Sequence, residues 1–133
     1  MKIKKYFAVK NKESDERIVS SSGGVFLTLA KNILSKKGVV YGAIYDESFN
    51  VIHVRSENID DVMKMTGSKY SQSDLKNVIN EVIRDLEDDK YVLFSGTPCQ
   101  VNSINMCTKN NNSKLITVDL ICHGTPEKFF LRD

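Results

Sequence analysis

Tryptophan is absent from the 133 residues, so any ring stacking falls to five tyrosines and six phenylalanines. Cysteine occurs three times, at Cys99, Cys107 and Cys122, with no Cys-x-x-Cys spacing. An odd number at those intervals excludes a disulfide framework and a self-contained zinc or ferredoxin-type cluster, and leaves at least one free thiol. Neither sign of charge dominates: 19 Lys and Arg stand against 17 Asp and Glu, a net of +2. That excess is too small to argue for nucleic acid, and the Lys4-Lys5 and Lys36-Lys37 pairs read as solvated ends. No apolar run approaches the length of a membrane span. No apolar stretch follows the N-terminal lysines as a secretory signal requires, so a cytoplasmic location is expected. Internal repeats and low-complexity tracts are also missing.

What is present is ordinary for a folded chain, with 41% apolar and 27% charged residues. That composition and length suit one domain with a real core, spanning residues 1–133. Its organising stretch is Tyr91-Val92-Leu93-Phe94-Ser95-Gly96-Thr97-Pro98-Cys99-Gln100. An apolar strand runs into a tight turn, and Pro98 suits the first turn of a helix. Cys99 then falls at a helix start, where backbone N–H groups and the helix dipole favour an anion or a thiolate. In an open α/β sheet, ligands bind at the carboxyl ends of strands.

Taken in order, residues 5–10 read as a first strand and 11–17 as a polar turn. Ser20-Ser21-Ser22-Gly23-Gly24 precedes a helical stripe at Val25, Phe26, Leu29, Ala30, Ile33 and Leu34, with the serines offering an N-cap. Residues 39–45 and 51–55 form an antiparallel hairpin. Asn58 caps a short helix over 59–65, and 66–73 is a connection dense in hydroxyls. Leu75, Val78, Ile79, Val82, Ile83 and Leu86 lie on one face of a helix over 74–87. A helix over 99–108, a buried strand over 115–122 and the start of a helix at 127–133 complete the pattern. The helix start at the end of the chain is read as the first part of a longer protein. The fold class predicted is α/β, a mixed sheet flanked by helices over 24–36, 74–87 and 99–108.

Two strand–turn segments match, Ser95-Gly96-Thr97-Pro98-Cys99 and Cys122-His123-Gly124-Thr125-Pro126. If their strands are parallel neighbours, both turns open on one edge and Cys99, Cys122 and His123 converge there. The Gly23-Gly24 helix start adds unobstructed backbone donors that suit a pyrophosphate. Gly67-Ser68-Lys69-Tyr70 adds a cation, hydroxyls and a flat ring. Against these stand plainer roles: a simple turn for Gly23-Gly24, a buried apolar thiol for Cys122, and a core or surface thiol for Cys107. His53, inside a strand, reads as structural or exposed, and the acids from Asp85 to Asp89 as solvated surface.

The segments Ser20-Ser21-Ser22-Gly23-Gly24, Gly67-Ser68-Lys69-Tyr70-x-Gln72-Ser73, Ser95-Gly96-Thr97-Pro98-Cys99-Gln100 and Asp119-Leu120-Ile121-Cys122-His123-Gly124 resemble, in order and approximate spacing, the coenzyme F420 hydrogenase/dehydrogenase beta-subunit family. The resemblance covers nearly the whole chain. It implies the N-terminal portion of a larger flavin-binding oxidoreductase subunit that binds FAD. Electrons would pass between flavin, iron–sulfur centres and a deazaflavin (F420-like) or other low-potential carrier.

Carried over by residue, the resemblance implies an FAD site lined by Ser21, Ser22, Gly23, Gly24, Gly67, Ser68, Lys69, Tyr70, Gln72, Ser73, Ser95, Gly96, Thr97, Pro98, Cys99 and Gln100. Lys69 would stand near the flavin, where a cation stabilises the anionic reduced ring. Cys99 and Cys122 would lie near the flavin or ligate a cluster. The family's Cys-rich ferredoxin-like segment and its C-terminal part lie outside this sequence, so a 4Fe-4S cluster requires additional segments. The partners implied are other oxidoreductase subunits or a ferredoxin-like domain. Two further readings remain: a thiol enzyme with Cys99 as nucleophile and His123 as base, and a non-catalytic interaction fragment that self-associates through exposed apolar surface.

Overall fold

The computed structural model describes residues 5–108 and 113–126. In chain order its elements are α1 (Ser14–Ile18), α2 (Val25–Ser35), β1 (Val39–Tyr45), β2 (Val51–Ser56), α3 (Ile59–Met65), α4 (Val78–Glu87), β3 (Val92–Gly96), α5 (Pro98–Cys107) and β4 (Leu115–Asp119). The strands form one mixed sheet in the order β2-β1-β3-β4. The β1–β2 pair is antiparallel, whereas β1–β3 and β3–β4 are parallel.

The central strands are apolar in unbroken runs because helices cover both of their faces. Alternation along each strand sorts the side chains. Val39, Tyr41, Val92 and Phe94 pack with Val78 and Val82 of α4 and Val101 and Ile104 of α5. Val40 and Leu93 point the other way, onto Leu27, Ala30 and Ile33 of α2 and Val62 and Met65 of α3. The predicted fold class is therefore the observed one: an α/β domain with helices on either side of a mixed sheet.

Local departures have local causes. Residues 5–10 form no strand; Tyr6 and Phe7 are 88% and 77% exposed, and the segment passes over Gly23. A β-carbon on Gly23 would meet the Val9 carbonyl oxygen at 2.7 Å. Within the expected polar turn, Asn11 organises α1. Its Oδ1 accepts from the Glu13 N–H at 3.0 Å, and its Nδ2 donates to Glu16 at 2.6 Å. Helix α4 begins at Val78 rather than residue 74, because Asp74 is held to the edge of β2. His53 N–H donates to the Asp74 carbonyl, and Asp74 N–H to that of Val51, at 2.9 and 3.0 Å. Lys76 then takes a left-handed φ of 45°, which no helix tolerates. Strand β4 ends at Asp119, short of residue 122. The helix expected at 127–133 lies outside the described residues.

Asn58 caps α3 as expected, its side chain accepting from the Asp60 N–H at 2.7 Å. Asn58→Ala is expected to lower stability by about 1 kcal/mol in urea unfolding, the usual cost of losing such a cap.

The acid at 85 is not surface. Asp85 is 5% exposed and forms the hub of an ionic network behind the sheet. Its Oδ2 accepts from the Tyr41 hydroxyl at 2.5 Å and from Arg55 Nε at 2.8 Å; its Oδ1 accepts from Arg55 Nη2 at 2.9 Å. Arg55 also bonds Glu57 at 2.5 Å, and Lys90 reaches both Glu57 and Asp85, at 3.0 and 3.3 Å. Burial pushes the Asp85 carboxyl up, but the Arg55 and Tyr41 bonds outweigh it and hold the group below the usual carboxylate range.

Candidate functional site

The parallel pairing of β3 with β4 sets Gly96 opposite Asp119, and the Leu120 N–H donates to the Gly96 carbonyl at 2.9 Å. The two matching turns therefore leave the sheet side by side at its carboxyl edge. Beyond β3, Pro98 opens α5 and Gln100 folds back, its Oε1 accepting from the Thr97 N–H at 3.0 Å. A β-carbon at Gly96 would meet that Oε1 at 2.9 Å, so glycine is needed for the fold-back. Gln100 is itself buried, and its Nε2 donates to the Ser73 hydroxyl and carbonyl at 2.8 and 3.2 Å.

The next link in this chain of bonds is His53, which is 4% exposed. Its Nε2 lies 2.9 Å from the Ser95 carbonyl and its Nδ1 lies 2.7 Å from Ser73 Oγ. A carbonyl only accepts, so Nε2 carries the proton and Nδ1 accepts from the Ser73 hydroxyl. The Ser73 oxygen in turn accepts from Gln100. Every donor in the relay faces an acceptor, and burial keeps the ring neutral by pushing its pKa below the ordinary histidine value. The imidazole stacks on Phe94 with centroids 5.1 Å apart and planes 13° apart. The sequence carried one trace of this: Val51 and His53 are two apart, on one face of a strand.

The hydroxyl-rich connection meets a second segment through Ser68, whose Oγ donates to Ser21 Oγ at 2.8 Å. Ser21 and Ser22 are exposed, and Gly24 rather than a serine is the N-cap of α2, with φ 75° and no side-chain cap. A left-handed cap suits glycine. The first-turn N–H groups of α2 are thus left without a capping side chain. Among the glycines, Gly67 has φ 79° and open space where a β-carbon would be, whereas Gly23 is closed over by Val9.

Lys69 serves α3: its Nζ donates to the carbonyls of Lys64, Thr66 and Gly67 at 3.0, 2.7 and 3.2 Å. Partial burial lowers its pKa. Tyr70 and Gln72 are exposed beside it.

The thiols are all exposed. Cys99 Sγ lies 3.1 Å from the Thr97 hydroxyl, and the Gly124 N–H donates to Cys122 Sγ at 3.4 Å. No hydrogen bond joins Cys99 to the exposed His123 among the described residues. Nor do any three His, Cys, Asp or Glu side chains gather there as a metal site. These thiols alone do not fit an iron–sulfur cluster, which takes four.

All four chemistry-bearing segments are therefore stitched together: Ser21 to Ser68, Ser73 to Gln100, and Gly96 to Leu120. No family model matches the sequence, and no curated protein matches it. The fold does have a solved counterpart. A chain of the F420-reducing NiFe hydrogenase complex from Methanosarcina barkeri superposes with a TM-score of 0.71 at 17% identity. The match covers 92% of this chain and 45% of that one, so this chain spans under half of the neighbour's length. At that identity the likeness establishes a shared fold. No helix among the described residues is long and apolar enough to cross a membrane.

Proposed function

We propose that this chain is the FAD-binding portion of a cytoplasmic oxidoreductase subunit of the coenzyme F420 hydrogenase/dehydrogenase beta-subunit type. Electrons pass between flavin, iron–sulfur centres on additional segments and a deazaflavin or other low-potential carrier. The observation that carries this reading is the stitching of the four segments at one sheet edge. The fold shared with a chain of an F420-reducing hydrogenase complex supports it.

The residues present fit the flavin nucleotide. The uncapped N-terminus of α2 offers backbone N–H groups and the positive end of a helix dipole to a pyrophosphate. Ser21, Ser22 and Ser68 offer hydroxyls, the open Gly67 permits close backbone approach, and Tyr70 offers a ring. FAD supplies the redox chemistry when bound; the chain supplies position and field. Cys99 and Cys122 stand at the ends of the two parallel turns, open to a flavin edge or to thiolate ligands of a neighbouring segment. Ile116, Leu120 and Ile121 are exposed along and beyond β4, Ile121 at 94%, which supports docking of another subunit, a ferredoxin-like domain or a second copy there.

The test is an anaerobic absorbance spectrum after incubation with FAD and desalting, repeated for Val25→Glu. An acid in the first turn of α2 stabilises the helix by about 0.3–1 kcal/mol but repels a pyrophosphate. Wild type is expected to retain flavin bands that bleach with dithionite. Val25→Glu is expected to keep or slightly raise its melting temperature and to bind FAD about tenfold more weakly, a cost of about 1.4 kcal/mol. Equal affinities would remove the α2 N-terminus from the site.

A further inference from the structure

We propose that His53 is a positioning residue of the cofactor site: through Ser73 it clamps the connection over 66–77 onto the turn at Gly96–Gln100. The inference rests on the flavin reading for its functional consequence, but its structural content stands on the geometry alone.

Apart from Leu75, which packs on the core, the connection has few other anchors. Ser68 meets Ser21 between two exposed hydroxyls, and Lys69 bonds only backbone from its own neighbourhood. The Asp74 bridge fixes the far end to β2, not to the turn. Ser73 is where the connection touches the turn, and its hydroxyl has one role on each side: donor to His53 Nδ1, acceptor from Gln100 Nε2.

Gln100 joins Ser73 to the Thr97 N–H, and His53 adds a separate tie, since its other nitrogen is bonded to Ser95 at the end of β3. Phe94 holds the ring plane, so the imidazole cannot swing to satisfy one partner at the expense of the other. Removing it orphans the Ser95 carbonyl and lets the Ser73 hydroxyl reorient, which loosens Gln100 and with it the Thr97 N–H. The distance between Gly67–Tyr70 and Gly96–Cys99, two sides of the proposed flavin site, is then no longer set.

Hydrogen exchange of the full chain without cofactor tests the clamp, with His53→Leu, His53→Gln and Ser73→Ala beside wild type. His53→Leu is expected to speed exchange at the Asp74 and Thr97 amides at least tenfold while leaving α2 unchanged. Glutamine carries a donor amide group and an acceptor oxygen, and His53→Gln is expected to restore most of the protection. Ser73→Ala, which leaves the imidazole in place, is expected to reproduce the local loosening and covers the case in which His53→Leu does not fold. Unchanged exchange at those amides, or acceleration spread evenly over the core, would overturn the clamp. FAD titration forms the second arm, with about tenfold weaker binding expected for His53→Leu. Failure of wild type to bind FAD would sink the flavin reading and leave the exchange result to decide the clamp.

Discussion

Asp85→Ala is expected to cost about 3 kcal/mol, measured by urea unfolding at pH 7. The buried Tyr41 hydroxyl then has no acceptor and Arg55 loses its bidentate partner, although Glu57 still neutralises part of its charge. Tyr41→Phe is the milder change, at about 1 kcal/mol, because Asp85 keeps Arg55 and Lys90. The double variant should cost less than the sum, since each substitution removes the other's partner.

The network also sets an acid limit. Asp85 has a pKa below its unfolded value, so its contribution is complete above about pH 4 and is lost as pH falls through the depressed folded value. Arg55 stays charged throughout. In Asp85→Ala the fall in stability on that acid limb should flatten; an unchanged limb would place the acid sensitivity elsewhere.

Phe94→Ala is expected to cost about 4 kcal/mol, a large share of the roughly 5–15 kcal/mol that holds a domain together. Phe94 is fully buried in the middle of β3, against α4 and α5, and it also carries the His53 ring. Two controls separate packing from positioning. Phe94→Leu keeps most of the volume, so its cost in denaturant should stay under about 1.5 kcal/mol. Leu93→Ala empties the opposite face of the same strand, with a cost of about 2–5 kcal/mol, but leaves the stack intact. Only Phe94→Ala should combine large destabilisation with faster exchange at Thr97. The same exchange change in Leu93→Ala would mean that the turn responds to sheet stability rather than to the stack.

The sheet and its helices were legible because burial on both sides leaves unbroken apolar runs at 39–45 and 91–94, and helical stripes need only one face. The ends were harder to read. Leu75 belongs to the apolar stripe of α4 and packs on its core, yet Asp74 and Lys76 around it follow the edge of β2. Tyr6 to Val9 form an apolar run like a strand but meet no neighbour strand among the described residues, and Val9 lies over Gly23 instead. Asp85 sits among surface-like acids, and only the long-range approach of Tyr41 and Arg55 marks it as interior.

Within the site, the motif order pointed to the segments but not to their joints. His53, Ser73 and Gln100 come from three distant stretches, and no local pattern announces that one imidazole joins two of them. The serines before α2 resembled caps, whereas the cap is Gly24, which gives the helix no side-chain cap.

The order of the strands also bears on how the chain reaches this state. The β1–β2 pair is a hairpin that closes through a short turn at Asp46–Asn50, so it forms on a microsecond scale. The β1–β3 pairing begins with Val39 against Val92 and must close a loop on the order of fifty residues before it gains a contact. The hairpin thus precedes the parallel pairing, and the relay from His53 is assembled late. Its histidine arrives with the early hairpin, while its serine and glutamine await the closure of the loop.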